Sequence, residues 1–145
     1  MRCDACGAEA SLQWRPGSEV VVGTVAGVLE RRPVLVCPSD HVRAAPGGSD
    51  AAVTAVEAQL PHARGRWRRR DACGSCDAAL DLPVRRTRRS ITVGHAGLAV
   101  HTLHLDVPMT RCGDCGTDQL PTRSRSDLHG VVAAAYRPDE PADTP

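Results

Sequence analysis

Cys3-Asp4-Ala5-Cys6 and Cys73-Gly74-Ser75-Cys76 each set two thiols three positions apart, and Cys112-Gly113-Asp114-Cys115 repeats the arrangement. Cys37-Pro38-Ser39-Asp40-His41 joins a thiol to an imidazole across three residues. Such short spacers reverse the chain, so both side chains can point at one centre; Gly7, Gly113 and Gly116 sit in or just after these turns. Two thiolates are half of a tetrahedral metal site, and the other half must arrive from elsewhere in the chain. Cys112 and Cys115 can complete a site with Cys73 and Cys76 across 35 intervening residues, enough for a three-stranded sheet. Cys37 and His41 can do the same for Cys3 and Cys6, with Asp40 or water as the alternative to His41. Thiolate ligands favour zinc, with an iron centre as the other choice. Two zinc ions per chain are expected, both structural, because protein fills every position and none is left to activate water.

Disulfides are the competing use of cysteine. Met1-Arg2 runs directly into the first pair with no apolar segment behind it, which reads as a chain without a secretory signal. The longest apolar stretch, Val20 to Leu29, is interrupted by Gly23, Thr24 and Gly27, so no membrane span is expected. A cytoplasmic, reducing setting follows, where paired CxxC motifs are more often metal sites than disulfides. Seven cysteines also cannot all pair. Thiol redox catalysis would call for a low-pKa cysteine at a helix N-terminus in a βαβ setting, whereas these cysteines border short strands.

The elements that must carry the ligands occur twice. Cys3 to Ala8 is echoed seventy residues on by Cys73 to Ala78, and Pro33 to Cys37 by Pro108 to Cys112. In the first half, Leu12 and Trp14, Val20 and Val22, then Val28, Val34 and Val36 alternate as strands do; in the second, Ile91 and Val93 precede His101, Leu103, Leu105 and Val107 on one face. Gly94-His95-Ala96-Gly97 reads as the hairpin turn between them. The last strand of each half delivers the second ligand pair. Ala52, Val53, Val56 and Leu60, and later Leu128, Val131, Val132 and Ala135, recur at helical spacing, predicting helices over Ser49 to Leu60 and Ser126 to Tyr136. Ser49 and Ser126 are candidate N-caps, and Ser124 with Asp127 a candidate capping box.

The resulting fold class is small α+β and zinc-stabilised: two tandem zinc ribbons, each a short antiparallel sheet followed by a helix. Residues 1–60 form the first unit, 61–71 an extended Arg-rich linker opened by Pro61, 72–137 the second unit, and 138–145 a disordered acidic tail. Metal would offset a core poor in bulk, since the chain has two Trp, one Tyr and no Phe.

The second half resembles the YgiT-type zinc finger family, the zinc-binding N-terminal domain of MqsA-like antitoxins. The likeness rests on Cys73-x-x-Cys76, a run of strands, Val107-Pro108 followed by three residues and Cys112-Gly113-Asp114-Cys115-Gly116, and a helix beginning near Ser126. It covers residues 73–136, with residues 1–60 as a more distant copy ending on His41. The resemblance implies a zinc-organised three-stranded sheet with a following helix that docks onto a partner protein, a toxin in the antitoxins. Those antitoxins continue into an operator-binding helix-turn-helix domain; here Pro138 to Pro145 is expected as an acidic tail instead, which leaves toxin neutralisation alone.

Charge points to a second class of partner. All 18 basic residues are Arg, against 17 acidic ones. Lys, Asn and Phe are absent and Ile91 is the single isoleucine, which reads as the codon bias of a GC-rich bacterial genome as much as a nucleic-acid signal. Arg64, Arg66, Trp67, Arg68, Arg69 and Arg70 combine guanidinium groups with a ring and form the candidate nucleic-acid segment. Arg85, Arg86, Arg88 and Arg89 form a second candidate cluster; if residues 84–93 are a strand, Arg85 and Arg89 take one face while Arg86 and Arg88 take the other, which splits it. His101 and His104 fall on opposite faces and cannot share an ion. No Ser/His/Asp motif or phosphate-cradling glycine loop is present, so neither an enzyme nor a small-molecule substrate is expected. The expected function is a protein-interaction or regulatory module, with nucleic-acid binding as the alternative.

Overall fold

Alternation of apolar and polar residues produces the longest elements of the computed structural model, which describes residues 1–65, 70–80, 84–95 and 97–138. Strand β9 (Arg85–His95) and strand β10 (Leu98–Arg111) form an antiparallel hairpin, turned at Gly97, whose φ of 89° suits a residue without Cβ. His101, Leu103, Leu105 and Val107 are all buried on one face, as the two-residue period requires.

In the first half, β1 (Ser11–Pro16) pairs with β4 (Arg31–Val36), which also pairs with β5 (Val42–Ala44). The neighbouring β2 (Val20–Val22) and β3 (Val25–Leu29) leave that sheet and join the second half. Leu103 faces Leu29 and Asp106 faces Ala26 across the β10–β3 ladder, and β11 (Asp118–Gln119) closes the sheet beyond it. Three very short strands, β6 (Arg64–Gly65), β7 (Asp71–Ala72) and β8 (Ala79–Leu80), make a separate antiparallel sheet.

Helix α1 (Gly48–Gln59) and helix α2 (Arg125–Ala135) cover the apolar face in a crossed arrangement. α1, from the first half, packs on β9, whereas α2, from the second, packs on β2 and β3. One principal core therefore draws on both halves: Val25, Leu29 and Val56 meet Ile91, Leu105 and Val131. Gly27 allows a close approach within this core, since a Cβ there would lie 2.7 Å from Val131 Cγ1 and 3.0 Å from Leu105 Cδ2. A smaller apolar cluster of Cys3, Ala10, Leu35 and Cys37 stays with the first half.

Several local expectations need correction. Gly47, not Ser49, caps α1, and Ser124, not Ser126, precedes α2; neither cap makes a side-chain hydrogen bond to the helix. The expected capping box is replaced by a tertiary contact. Ser124 Oγ lies 3.2 Å from Thr24 Oγ1, and Asp127 accepts from both the N–H and the hydroxyl of Thr24 at 3.0 Å. The segment after Pro61 is also pinned: the Ala63 N–H donates to the Leu120 carbonyl at 2.9 Å and the Leu120 N–H to the Pro61 carbonyl at 2.8 Å. Arg64–Gly65 then pairs with Asp71–Ala72.

Candidate metal centres

Each CxxC turn is fixed by its own backbone. The Cys3 N–H donates to the Ala8 carbonyl at 2.7 Å and the Gly7 N–H to the Cys3 carbonyl at 2.8 Å. The Cys73 turn uses Ala78 and Asp77 in the same way, and the Cys112 turn uses Thr117 and Gly116. The residue after the second cysteine is left-handed in all three, with φ of 72° at Gly7, 67° at Asp77 and 76° at Gly116. Asp77 is tolerated there because a short polar side chain visits this region more readily than most. The fourth turn is one residue tighter: Asp40, at φ 61°, donates its N–H to the Cys37 carbonyl at 2.9 Å, and His41 follows it. That tighter reversal brings the ligand five residues into the motif back over Cys37.

Cys3, Cys6, Cys37 and His41 converge, as do Cys73, Cys76, Cys112 and Cys115, with the ligand atoms of each set all within 4.8 Å of one another. His41 presents Nδ1, 3.5 Å from Cys3 Sγ and 3.3 Å from Cys37 Sγ. Cys6 and Cys37 sulphurs are 3.7 Å apart; in the second set Cys73–Cys115 and Cys76–Cys112 are both 3.5 Å apart. A tetrahedral ion with metal–sulphur bonds of about 2.3 Å sets neighbouring sulphurs about 3.8 Å apart, whereas a disulfide needs about 2.05 Å. The spacing is that of ligands around an ion, and the seven cysteines are free of disulfides. In both sets the first and third ligands are buried and the second and fourth exposed, so each centre sits at the surface with one side sealed.

Crowding separates the proton affinities of the thiols. Gln119 and the backbone N–H groups of Cys76 and Ser75 bring the Cys73 thiol down to about 6. Cys76 receives a stabilising backbone hydrogen bond from Ala78, but Cys112, burial and the other two thiols outweigh it and push Cys76 up to about 12. In the first set, the N–H of Cys6 is the largest influence bringing Cys3 down to about 6, while Cys6 is pushed up. Neighbouring thiolates cannot all carry charge unaided, and a divalent cation removes that conflict by replacing their protons.

Residues that the spacing of cysteines does not reveal complete the second centre. Gln119, fully buried, donates from Nε2 to Cys73 Sγ at 3.2 Å and accepts from the Gly74 N–H at 2.8 Å. Thr117 Oγ1 lies 3.2 Å from Cys115 Sγ. Such outer contacts orient thiolates and spread their charge. The first centre is held differently, by Arg43 pairing with Asp4 at 2.5 Å and donating to the Arg2 carbonyl at 3.2 Å.

No known protein family, curated protein or solved structure matches the chain.

The other residues singled out by sequence are scattered. Of the basic segment, Arg66, Trp67, Arg68 and Arg69 lie outside the described residues; Arg64 is exposed and 3.6 Å from Asp77, and Arg70 precedes β7. His101 and His104 do face opposite ways. His101 is buried between Trp14 and Tyr136; its Nδ1 donates to the Ala99 carbonyl at 2.9 Å and its Nε2 accepts from the Tyr136 hydroxyl at 2.6 Å. His104 stands in a cross-strand row that the sequence did not disclose, with Ser90 Oγ 3.1 Å from Nδ1 and Glu30 Oε1 3.2 Å from Nε2. This Ser-His-Glu order resembles a nucleophile relay, but β10 is paired on both edges at His104, so its backbone is committed to the ladder and offers no oxyanion donors. Among the described residues no helix is long and apolar enough to cross a membrane.

Proposed function

We propose that this chain is a non-enzymatic zinc protein in which two structural zinc ribbons hold a binding or regulatory module together, with another protein as its partner. The observation that carries the reading is the pair of complete four-ligand sets, one of three thiolates with an imidazole and one of four thiolates, each at tetrahedral spacing with backbone donors around the sulphurs. Cys3, Cys6, Cys37 and His41 hold one zinc ion, and Cys73, Cys76, Cys112 and Cys115 the other. With every position supplied by protein, the ion contributes folding free energy rather than an activated water. The YgiT-type resemblance of residues 73–136 agrees with this role and with a cytoplasmic protein partner. Chelation is the direct check: a strong chelator should abolish the cooperative unfolding transition seen by circular dichroism, and restored zinc should recover it. An unchanged transition in metal-free protein would refute the structural role.

Nucleic-acid binding is the second reading. It is favoured by the arginines of the β9–β10 hairpin, of which Arg111 and Arg89 both reach Asp118.

A further inference from the structure

The two metal centres are anchored to different parts of the fold. Cys112 follows directly on β10, whose Leu103, Leu105, Val107 and Met109 lie in the principal core. Beyond the metal turn, β11 pairs back onto Thr110 and Arg111, and Leu120, itself in that core, shares backbone hydrogen bonds with Pro61 and Ala63. The second centre is thus tied into packing that both halves build. Cys37 follows on β4 instead, and Cys3 and Cys37 share their small cluster with Ala8, Ala10 and Leu35. None of these residues belongs to the principal core.

The sulphurs are also held unequally. Gln119, fully buried, donates to Cys73 at 3.2 Å, and Thr117 Oγ1 lies 3.2 Å from Cys115 Sγ. Around the first centre the backbone N–H groups of Ala5, Cys6 and Ala8 reach the sulphurs, but among the described residues no side chain outside the ligand set hydrogen-bonds to them. Its turn is braced by the Arg43–Asp4 pair, in which the Asp4 side chain is 84% exposed, and such surface pairs contribute little. His41 adds a neutral imidazole where Cys115 adds a thiolate, so the first set attracts a cation with one negative charge fewer. Cavities border both centres, about 180 Å³ beside Cys3 and His41 and about 570 Å³ beside Cys112, so access does not separate them. The strength of the hold does.

Resting on the zinc scaffold proposed above, we infer that the centre of Cys3, Cys6, Cys37 and His41 is an exchangeable zinc site, which loads and unloads with free zinc while the second centre and the principal core stay in place. The folded chain then exists in one-zinc and two-zinc forms. The zinc level decides whether residues 1–9 are fastened, through Cys3 and Cys6, to Cys37 and His41 at the end of β4. An outer hydrogen bond to a ligand is worth about 10- to 100-fold in metal affinity, and the second centre has two side-chain contacts of this kind that the first lacks. The two affinities should therefore differ by about 100-fold or more.

The test titrates the zinc-loaded full chain through a series of chelator-buffered zinc concentrations. Native mass spectrometry counts the ions, N-ethylmaleimide labelling mapped by peptide mass identifies the released cysteines, and circular dichroism follows the helices. One ion should leave at a free-zinc level about 100-fold or more above the level that releases the other. Labelling should then be confined to Cys3, Cys6 and Cys37, and the helix signal should persist until the second ion leaves. Gln119→Leu should narrow the gap by about tenfold or more. Release of both ions together, first labelling at Cys73, Cys76, Cys112 or Cys115, loss of the helix signal in the one-zinc form, or an unchanged gap in Gln119→Leu would each overturn the inference. A wild-type chain that holds fewer than two ions at saturating zinc would instead refute the zinc scaffold itself.

Discussion

Gln119 clamps the start of the Cys73 turn, donating to the Cys73 sulphur at 3.2 Å while its carbonyl oxygen accepts the Gly74 N–H at 2.8 Å. A buried amide in this place does what the cysteines cannot do for themselves: it supplies an N–H to the thiolate and leaves no backbone donor orphaned. Gln119→Leu should therefore weaken metal binding at the second centre by roughly 10- to 100-fold, the usual cost of losing an outer partner. Competition with a chromophoric chelator measures it. The first centre should be unaffected, and equal weakening of both would show that the variant acts through global stability.

The crossed helices are tested at Gly27. A valine there would drive its side chain into Val131 and Leu105, where even a Cβ has 2.7 and 3.0 Å. Gly27→Val should cost about 1 to 3 kcal/mol or more, the range for overpacking a filled core. Denaturant unfolding of zinc-loaded protein gives the number, and a change below about 0.5 kcal/mol would mean that α2 does not rest on β3.

Glu57 links the halves through charge. Its carboxylate lies 3.0 Å from His129 Nε2, 3.1 Å from Arg125 and 3.2 Å from His62 Nε2. Burial raises its proton affinity, but His129, His62 and Arg125 outweigh that and lower it; His62 is lowered mainly by its own burial, with Arg125 and His129 adding to the effect and Glu57 opposing it. A depressed histidine contributes stability that is present above its unfolded value near 6.5 and is lost as pH falls below it; Glu57 adds a similar loss below its ordinary value of 4.5. Thermal stability should fall between pH 7.5 and 5.5, and His62→Gln should flatten that slope. An identical slope in wild type and variant would remove His62 from the account.

Tyr136 satisfies His101 in the core, its hydroxyl 2.6 Å from Nε2. Tyr136→Phe leaves that nitrogen buried without a partner, a loss expected to cost about 1 to 3 kcal/mol by urea titration. A neutral result would imply that water reaches the site.

What the sequence disclosed and what it hid follow from the range of each interaction. Cysteine spacing is local, so the ligand pairs could be read directly, and the alternation of His101, Leu103, Leu105 and Val107 marked the buried face of β10. Val56 and Leu60 likewise marked the inner side of α1. Pairing of Leu29 with Leu103 leaves no local mark, because either strand would look the same beside another partner. Gln119 was invisible for the same reason: it is polar, lies outside every motif, and matters only once β11 brings it under Cys73. Ser124 and Asp127 had a capping pattern, yet Thr24 from the other half claims both side chains. Asp77 and Asp40 occupy left-handed positions where a glycine would have announced a turn.

Metal stoichiometry bears most directly on the central claim. Native mass spectrometry of the purified chain, with parallel elemental analysis, should give two zinc ions per polypeptide. Cys112→Ser should lower that to one, and His41→Ala should lower it independently to one. A wild-type chain carrying a single ion or none, or a His41→Ala variant that keeps two, would contradict the account of two zinc centres built from these eight residues.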